Sequence, residues 1–239
     1  MFKFGFVVAN GQLNPVIGVA IFFASLFLTS FFVYKIVNFE FKKITAVLWK
    51  DCDVFKYITI YSKFTNYKLH PKQSPYIYCC LANGYIANGD FEIAIETLEK
   101  IDIKNKKVSK LNILVCYNNL MLAYLFLNRF EESEKCLENI KNLKEKFMNN
   151  SKLKNYYDEV LDYANIRYNI IANRDISHLQ YLKDRFDKKP NMYDKIMAKH
   201  FMSIIYKNMS DEINVQNCYK YIIDNGKDLF VAKLAIELH

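Results

Sequence analysis

From Phe4 to Tyr34 the chain carries no charged residue, and its densest part, Val16 to Tyr34 (VIGVAIFFASLFLTSFFVY), is a run of 19 residues with hardly a polar side chain. A helix of that length rises roughly 28 Å, close to the hydrocarbon thickness of about 30 Å. A secretory signal has a shorter apolar stretch and a small-residue exit. Here the exit is Phe31-Phe32-Val33-Tyr34, which predicts an uncleaved single transmembrane helix over residues 16–37 behind a short tail, 1–15. Only Lys3 precedes the run, whereas Lys35, Lys42, Lys43 and Lys50 follow it. That bias predicts a cell-membrane protein whose larger part faces the cytoplasm.

The remaining 200 residues are long enough to bury a core. Only 6 Gly and 4 Pro in 239 residues argue against a turn-rich β fold, and long stretches free of both suit helices. Residues 38–74 read as a helical connector, with Asp51 and Asp53 as caps for a helix VFKYITIYSKF and a break at Pro71 and Pro75. After Pro75 a helix pair recurs. In Tyr76–Ile101 two apolar-periodic helices meet at Asn88-Gly89-Asp90. In Tyr117–Ile140 the same plan has Asn128 in place of Gly89, and Asn is the other residue that tolerates a left-handed helix end.

These units resemble the tetratricopeptide repeat. In the first, Tyr78, Leu81, Ala82, Tyr85, Gly89, Phe91, Ala94, Leu98 and Ile101 match its pattern. In the second, Tyr117, Leu120, Met121, Tyr124, Asn128, Phe130, Ser133, Leu137 and Ile140 match, with Met121 where a small residue is usual, so the pair should splay slightly. The units are 39 residues apart, longer than the family's repeat of about 34; the excess fits a loop around Ile103–Lys110. Fainter copies use Tyr163, Ile166, Ile170, Ile176, Leu179 and Phe186, then Met202, Ser203, Tyr206, Ser210, Val215, Tyr219 and Ile222. The resemblance implies an all-α fold: an α-solenoid of about four TPR-like helix pairs over 75–226, ended by a solvating capping helix over 227–239. It makes the matched residues repeat core, with no chemistry of their own.

The same resemblance implies function along a concave surface built from the first helix of each pair. That surface would present Tyr76, Cys79, Asn83 and Ile86, then Asn118, Leu122, Leu125 and Phe126, then Ala164, Tyr168 and Ile171, then His200, Ile204 and Lys207. Mostly apolar with two Asn, it suits a protein or peptide partner bringing an apolar or amphipathic segment. Some members of the family clamp a C-terminal carboxylate with two Lys, two Asn and an Arg. Asn83 and Asn119 match the asparagines, but the cation positions hold Cys79, Leu161 and Asn165, which leaves a carboxylate without a charge partner.

Other function classes find little support. GxGxxG, GKS/GKT, HExxH and GxSxG are all absent, so no enzyme and no cofactor is expected. His178 and His200 stand alone, and the six cysteines (Cys52, Cys79, Cys80, Cys116, Cys136 and Cys218) have no CxxC spacing, which reads as buried thiols and not as a metal site. The net charge of +8 comes from lysines interleaved with acids, which does not suit nucleic acid. The Lys104–Lys110 loop and the Lys135–Lys154 stretch read as solvated faces or as contacts for anionic headgroups. The expected role is therefore a membrane-tethered scaffold or adaptor; a self-associating structural protein and a peptide-responsive regulator are the alternatives.

Overall fold

The structure is a computed structural model that describes residues 15–65, 74–148 and 151–239, apart from the side chains of residues 15–17, 34, 36–39 and 41. Every regular element among them is helical. The chain divides into two compact units, Met1–Ile44 and Thr45–His239.

Helix α1 (Pro15–Trp49) contains the apolar run. Val19 to Val33 include ten large apolar side chains about half exposed or more, Phe27 at 73%. Among the described residues no helix is long and apolar enough to cross a membrane, so the transmembrane helix expected over 16–37 stands without structural support. The side chains of Val16, Ile17, Tyr34, Ile36 and Val37, which belong to that expectation, lie outside the described residues.

The second unit holds α2 (Val54–Thr65), α3 (Ser74–Asn88), α4 (Phe91–Glu99), α5 (Lys110–Phe126), α6 (Phe130–Asn142), α7 (Ser151–Ala172), α8 (Leu179–Lys188), α9 (Met192–Asn208), α10 (Glu212–Gly226) and α11 (Phe230–Leu238). A 3₁₀ turn, Lys144–Phe147, follows α6. Pro75 sits in the first turn of α3, where a missing N–H is harmless, so it starts a helix as well as breaking the chain. Asp53 caps α2 by accepting from the Lys56 N–H at 3.0 Å. What reads in the sequence as a connector supplies core: Leu48, Val54, Tyr57 and Tyr61 are all buried. Gly84 lets α2 lie close on α3, because a Cβ there would stand 2.7 Å from Ile58.

Three helix pairs turn on one local device. Gly89, Asn128 and Ser210 all have left-handed backbone, with φ of 93°, 58° and 58°. In each, the next residue's N–H bonds back to a tyrosine carbonyl: Asp90 to Tyr85, Arg129 to Tyr124 and Asp211 to Tyr206, all at 2.9 Å. That is the Schellman ending, which satisfies carbonyls the helix leaves open and starts the next helix at once. Asp90 stands at the start of α4 but does not cap it; its carboxylate accepts from the Asn88 side chain at 2.6 Å. Nor does the second pair splay at Met121. That residue is fully buried, and the Ser133 hydroxyl donates to its carbonyl at 3.0 Å, tying α6 to α5. Phe130, expected in the core, is exposed at the first position of α6.

The third pair is different. Arg174 takes the left-handed place, but six residues separate α7 from α8, and α8 packs its backbone on α9. It reaches α7 through long side chains, Tyr181 against the Tyr163 ring at 6.4 Å and Arg185 over it at 3.7 Å. Ile176, assigned to this repeat's core, is accordingly exposed. The first helices α3, α5, α7 and α9 pack in succession, and α11 packs on both α10 and α3. The expected solvating cap therefore also closes the array on itself. Val231, Ala232 and Ala235 are buried, Phe230 meets Phe91 at 5.2 Å and Phe126 at 5.0 Å, and Lys233 donates to Asn88 at 3.1 Å. Gly89 serves both its turn and this closure, because a Cβ there would stand 3.0 Å from the Phe230 Cβ.

Candidate functional site

The concave face of the array is divided. Phe126 from α5 stacks toward Phe201 at 6.4 Å, and His200 and Phe230 lie 6.0 and 5.0 Å from it. This aromatic cluster separates two cavities, of about 300 and 310 Å³.

The first cavity lies where α8 stands away from α7, and it is the more polar of the two. Asn83 and Ile86 of α3, Asn118, Asn119 and Leu122 of α5, Tyr163 and Arg167 of α7, Arg185 of α8 and Lys189 just past its end, and Trp49, Tyr193, Asp194 and Phe201 all line it. Arg167 occupies the buried stripe of α7 with Tyr163, Ile166 and Ile170, at the 3–4 residue spacing of one helix face. It is 5% exposed, and burial pulls its guanidinium below the usual range. Its Nε donates to the Tyr163 carbonyl at 3.2 Å and its Nη2 to Asn118 Oδ1 at 2.5 Å. The amides continue the chain: Asn118 donates to Asn119 at 3.4 Å, and Asn119 to Asn83 at 2.8 Å.

Arg185 and Lys189 are neutralised locally. Arg185 meets Glu159 and Asp194, each at 3.4 Å, and Lys189 pairs with Glu159. The Lys189 hydrogen bond holds the Glu159 carboxyl below the usual carboxylate range. Both guanidinium groups lie against the Tyr163 ring, 4.5 Å for Arg167 and 3.7 Å for Arg185. Among the described residues no carboxylate forms an ion pair with Arg167.

The second cavity is apolar, lined by Leu125, Phe126, Ile171, Ile204, Val231 and Leu238 among others, with Arg174 and Lys207 at its edge. His200 borders it, and burial pushes that imidazole down to about 4 from 6.5.

Of the residues expected on one groove, Asn83, Ile86, Asn118 and Leu122 meet in the first cavity, whereas Phe126 and Lys207 belong to the second. Tyr76 and Tyr168 line neither; Tyr76 lies beside Cys80 and Tyr61. Ile86 and Leu122 are buried in the walls, so the expected continuous apolar groove is not present. Asn83 and Asn119, matched to a carboxylate clamp, are bonded to each other. The six cysteines are buried free thiols, and burial raises the thiols of Cys52 and Cys136 to about 11.

Sequence reasoning missed Arg167, Arg185, Glu159, Tyr163 and Trp49. A signal for the first two exists: only four of the chain's 33 basic residues are arginine, so an arginine inside the apolar segment YANIRYNII stands out. Arg differs from Lys in keeping its charge when buried and in holding a planar fork of donors. No protein-family model, curated protein or solved structure matches the chain.

Proposed function

We propose that this chain is a binding module of the tetratricopeptide type, tethered to a membrane by its N-terminal apolar helix, that receives a short extended segment of a protein partner. One observation carries the reading: the polar cavity between α3, α5, α7, α8 and α9, bounded by the Phe126–Phe201–Phe230 cluster. Its volume of about 300 Å³ lies at the small end of ligand pockets, about 300–1,000 Å³. An amphipathic helix about 10 Å across has no trough to lie in. The repeated Schellman turns at Gly89, Asn128 and Ser210 support the repeat family.

The tether rests on α1. Its apolar side chains between Val19 and Val33 have nothing covering them. Ser25 and Thr29 turn their hydroxyls onto the carbonyls of Phe22 and Ser25, each at 2.8 Å, which satisfies both donors within the helix. The excess of lysines after the run supports an orientation in which the binding module faces the cytoplasm.

A photo-crosslinking residue at Asn83 tests the binding reading in cells. It should trap a protein that the same probe at Ile213, 76% exposed on α10, does not. Equal trapping at both positions refutes the cavity as the site. Carbonate extraction tests the tether: the full chain should stay with membranes, and release into the supernatant refutes it.

A further inference from the structure

We infer that the inner cavity recognises its ligand through one monoanionic oxyanion group, a carboxylate or a phosphodiester, seated against Arg167. The inference rests on that cavity being the binding site.

Charge gives the first argument. The cavity wall carries Arg167, Arg185 and Lys189 against Glu159 and Asp194, and both carboxylates are held by Arg185 and Lys189. One positive charge is left, on a side chain 95% removed from solvent, and among the described residues its acceptors are a backbone carbonyl and an amide oxygen. Neutral acceptors satisfy hydrogen-bond geometry and leave the charge uncompensated, which a buried ion tolerates poorly. A monoanion compensates it. A dianion would leave a buried negative charge in its place.

Hydrogen-bond direction gives the second. Arg167 donates to Asn118, Asn118 to Asn119, and Asn119 to Asn83, so each amide oxygen along this chain already accepts a bond. What remains unspent are donors. The Asn83 amide nitrogen ends the chain with no hydrogen-bond acceptor among the described residues. The Tyr163 hydroxyl and Arg185 Nε are buried with no partner. A cavity with surplus donors and a surplus positive charge calls for a ligand made of acceptors, and charge-assisted bonds to an oxyanion are the strong form of that match. No carboxylate is free to hold a metal ion there.

Trp49 is the chain's single tryptophan and lines this cavity, edge-on to Tyr193 at 4.9 Å, so its emission reports on the site directly. The test titrates the full chain in detergent with acetate, dimethyl phosphate and sulfate, using sodium chloride at matched ionic strength as reference. A tripeptide, Ala-Ala-Ala, is added with a free carboxyl and as its amide. Acetate or dimethyl phosphate should change the emission saturably, more tightly than sulfate and without a chloride counterpart. The free tripeptide binding better than its amide assigns the oxyanion to a peptide end; a response to the small anions alone assigns it to a soluble acid. Arg167→Gln should weaken binding at least tenfold while raising the thermal midpoint of the ligand-free chain, because the uncompensated charge is gone. Tyr163→Phe, which deletes only a hydroxyl, should weaken it severalfold and keeps the test open if Arg167→Gln does not fold. No saturable response to either monoanion, measurable binding of both tripeptide and amide with equal affinity, or Arg167→Gln within twofold of wild type overturns the inference. If the Asn83 probe still traps its partner in that event, the cavity reading stands without the oxyanion; if it does not, both fail.

Discussion

His200 makes the fold sensitive to acid in a way that can be worked from its surroundings. Its ring lies among Phe126, Phe201 and Phe230, 5.5 to 6.1 Å away, and is 7% exposed. The charged groups bordering the same cavity, Arg174 and Lys207, are cations and give an imidazolium no counterion. Burial therefore pushes its pKa from 6.5 to about 4. The folded value lies below the unfolded one, so the unfolded state binds the proton first and stability falls as pH drops from 6.5 toward 4. Above 6.5 both states are neutral and nothing is lost. At about 1.36 kcal/mol per pH unit the full loss is about 3 kcal/mol, and about 2.5 kcal/mol is already present near pH 4.5. That is a large share of a domain stability of about 5–15 kcal/mol. Urea unfolding followed by Trp49 emission, at pH 7 and pH 4.5, on wild type and His200→Phe measures it. The added ring volume has the neighbouring cavity to enter. Carboxylate titration destabilises both proteins alike, so the wild type should lose about 2.5 kcal/mol more than the variant. Equal losses would refute the argument and mean that the His200 ring is hydrated or paired.

Three further outcomes follow from the turns and the closure. Gly89→Ala should cost about 1–2 kcal/mol for the left-handed backbone alone, and more for the Cβ against Phe230. In a double-mutant cycle with Phe230→Ala, measured by urea unfolding, the cost of Gly89→Ala should fall to the backbone part. Ser210→Gly relieves a side chain from φ 58° at an exposed turn and should stabilise by about 0.5–1 kcal/mol, seen as a raised thermal midpoint. Ser133→Ala removes the hydroxyl that ties α6 to the Met121 carbonyl and should cost about 1 kcal/mol in the same unfolding assay.

The sequence shows its local devices and hides its long-range ones. Gly89-Asp90 and Asn128-Arg129 are readable as helix junctions because only a few residue types accept the left-handed backbone those junctions impose. Ser210 is less visible, since serine carries no such preference and the turn is imposed by the helices on either side. The third repeat is faint for a physical reason: α8 does not fold back on α7, so the packing that would enforce the pattern is absent. Tyr57 and Tyr61 show helical spacing, but the residue that Tyr57 packs on, Gly84, lies more than twenty residues on and shows its purpose only once α2 is laid against α3. The meeting of Phe230 with Phe91 spans most of the second unit and has no local signature. Arg167 sits in the apolar stripe of its helix and by periodicity alone is an irregularity; its meaning depends on where the carboxylates of Glu159, on its own helix, and Asp194, on α9, are spent.

Closure by α11 decides what kind of partner the concave face admits. A long amphipathic segment laid along all four first helices would have to lift α11 and part the Phe126–Phe230 contact. Exposing buried Leu229, Val231, Ala232 and Ala235 together with half-buried Phe230 forfeits about 1.5–3 kcal/mol for each large buried side chain, so opening costs about 5 kcal/mol before any contact is made. At about 1.4 kcal/mol per decade, that lowers affinity more than a thousandfold. A short segment entering the first cavity carries no such cost. Its walls already stand open, because α8 is held off α7 by Tyr163, Arg185 and Glu159, and these ion pairs and ring contacts persist without a ligand. The preorganised site is therefore the small polar one, and a free energy of binding realised there comes from matching the one unbalanced charge at Arg167, not from burying apolar area.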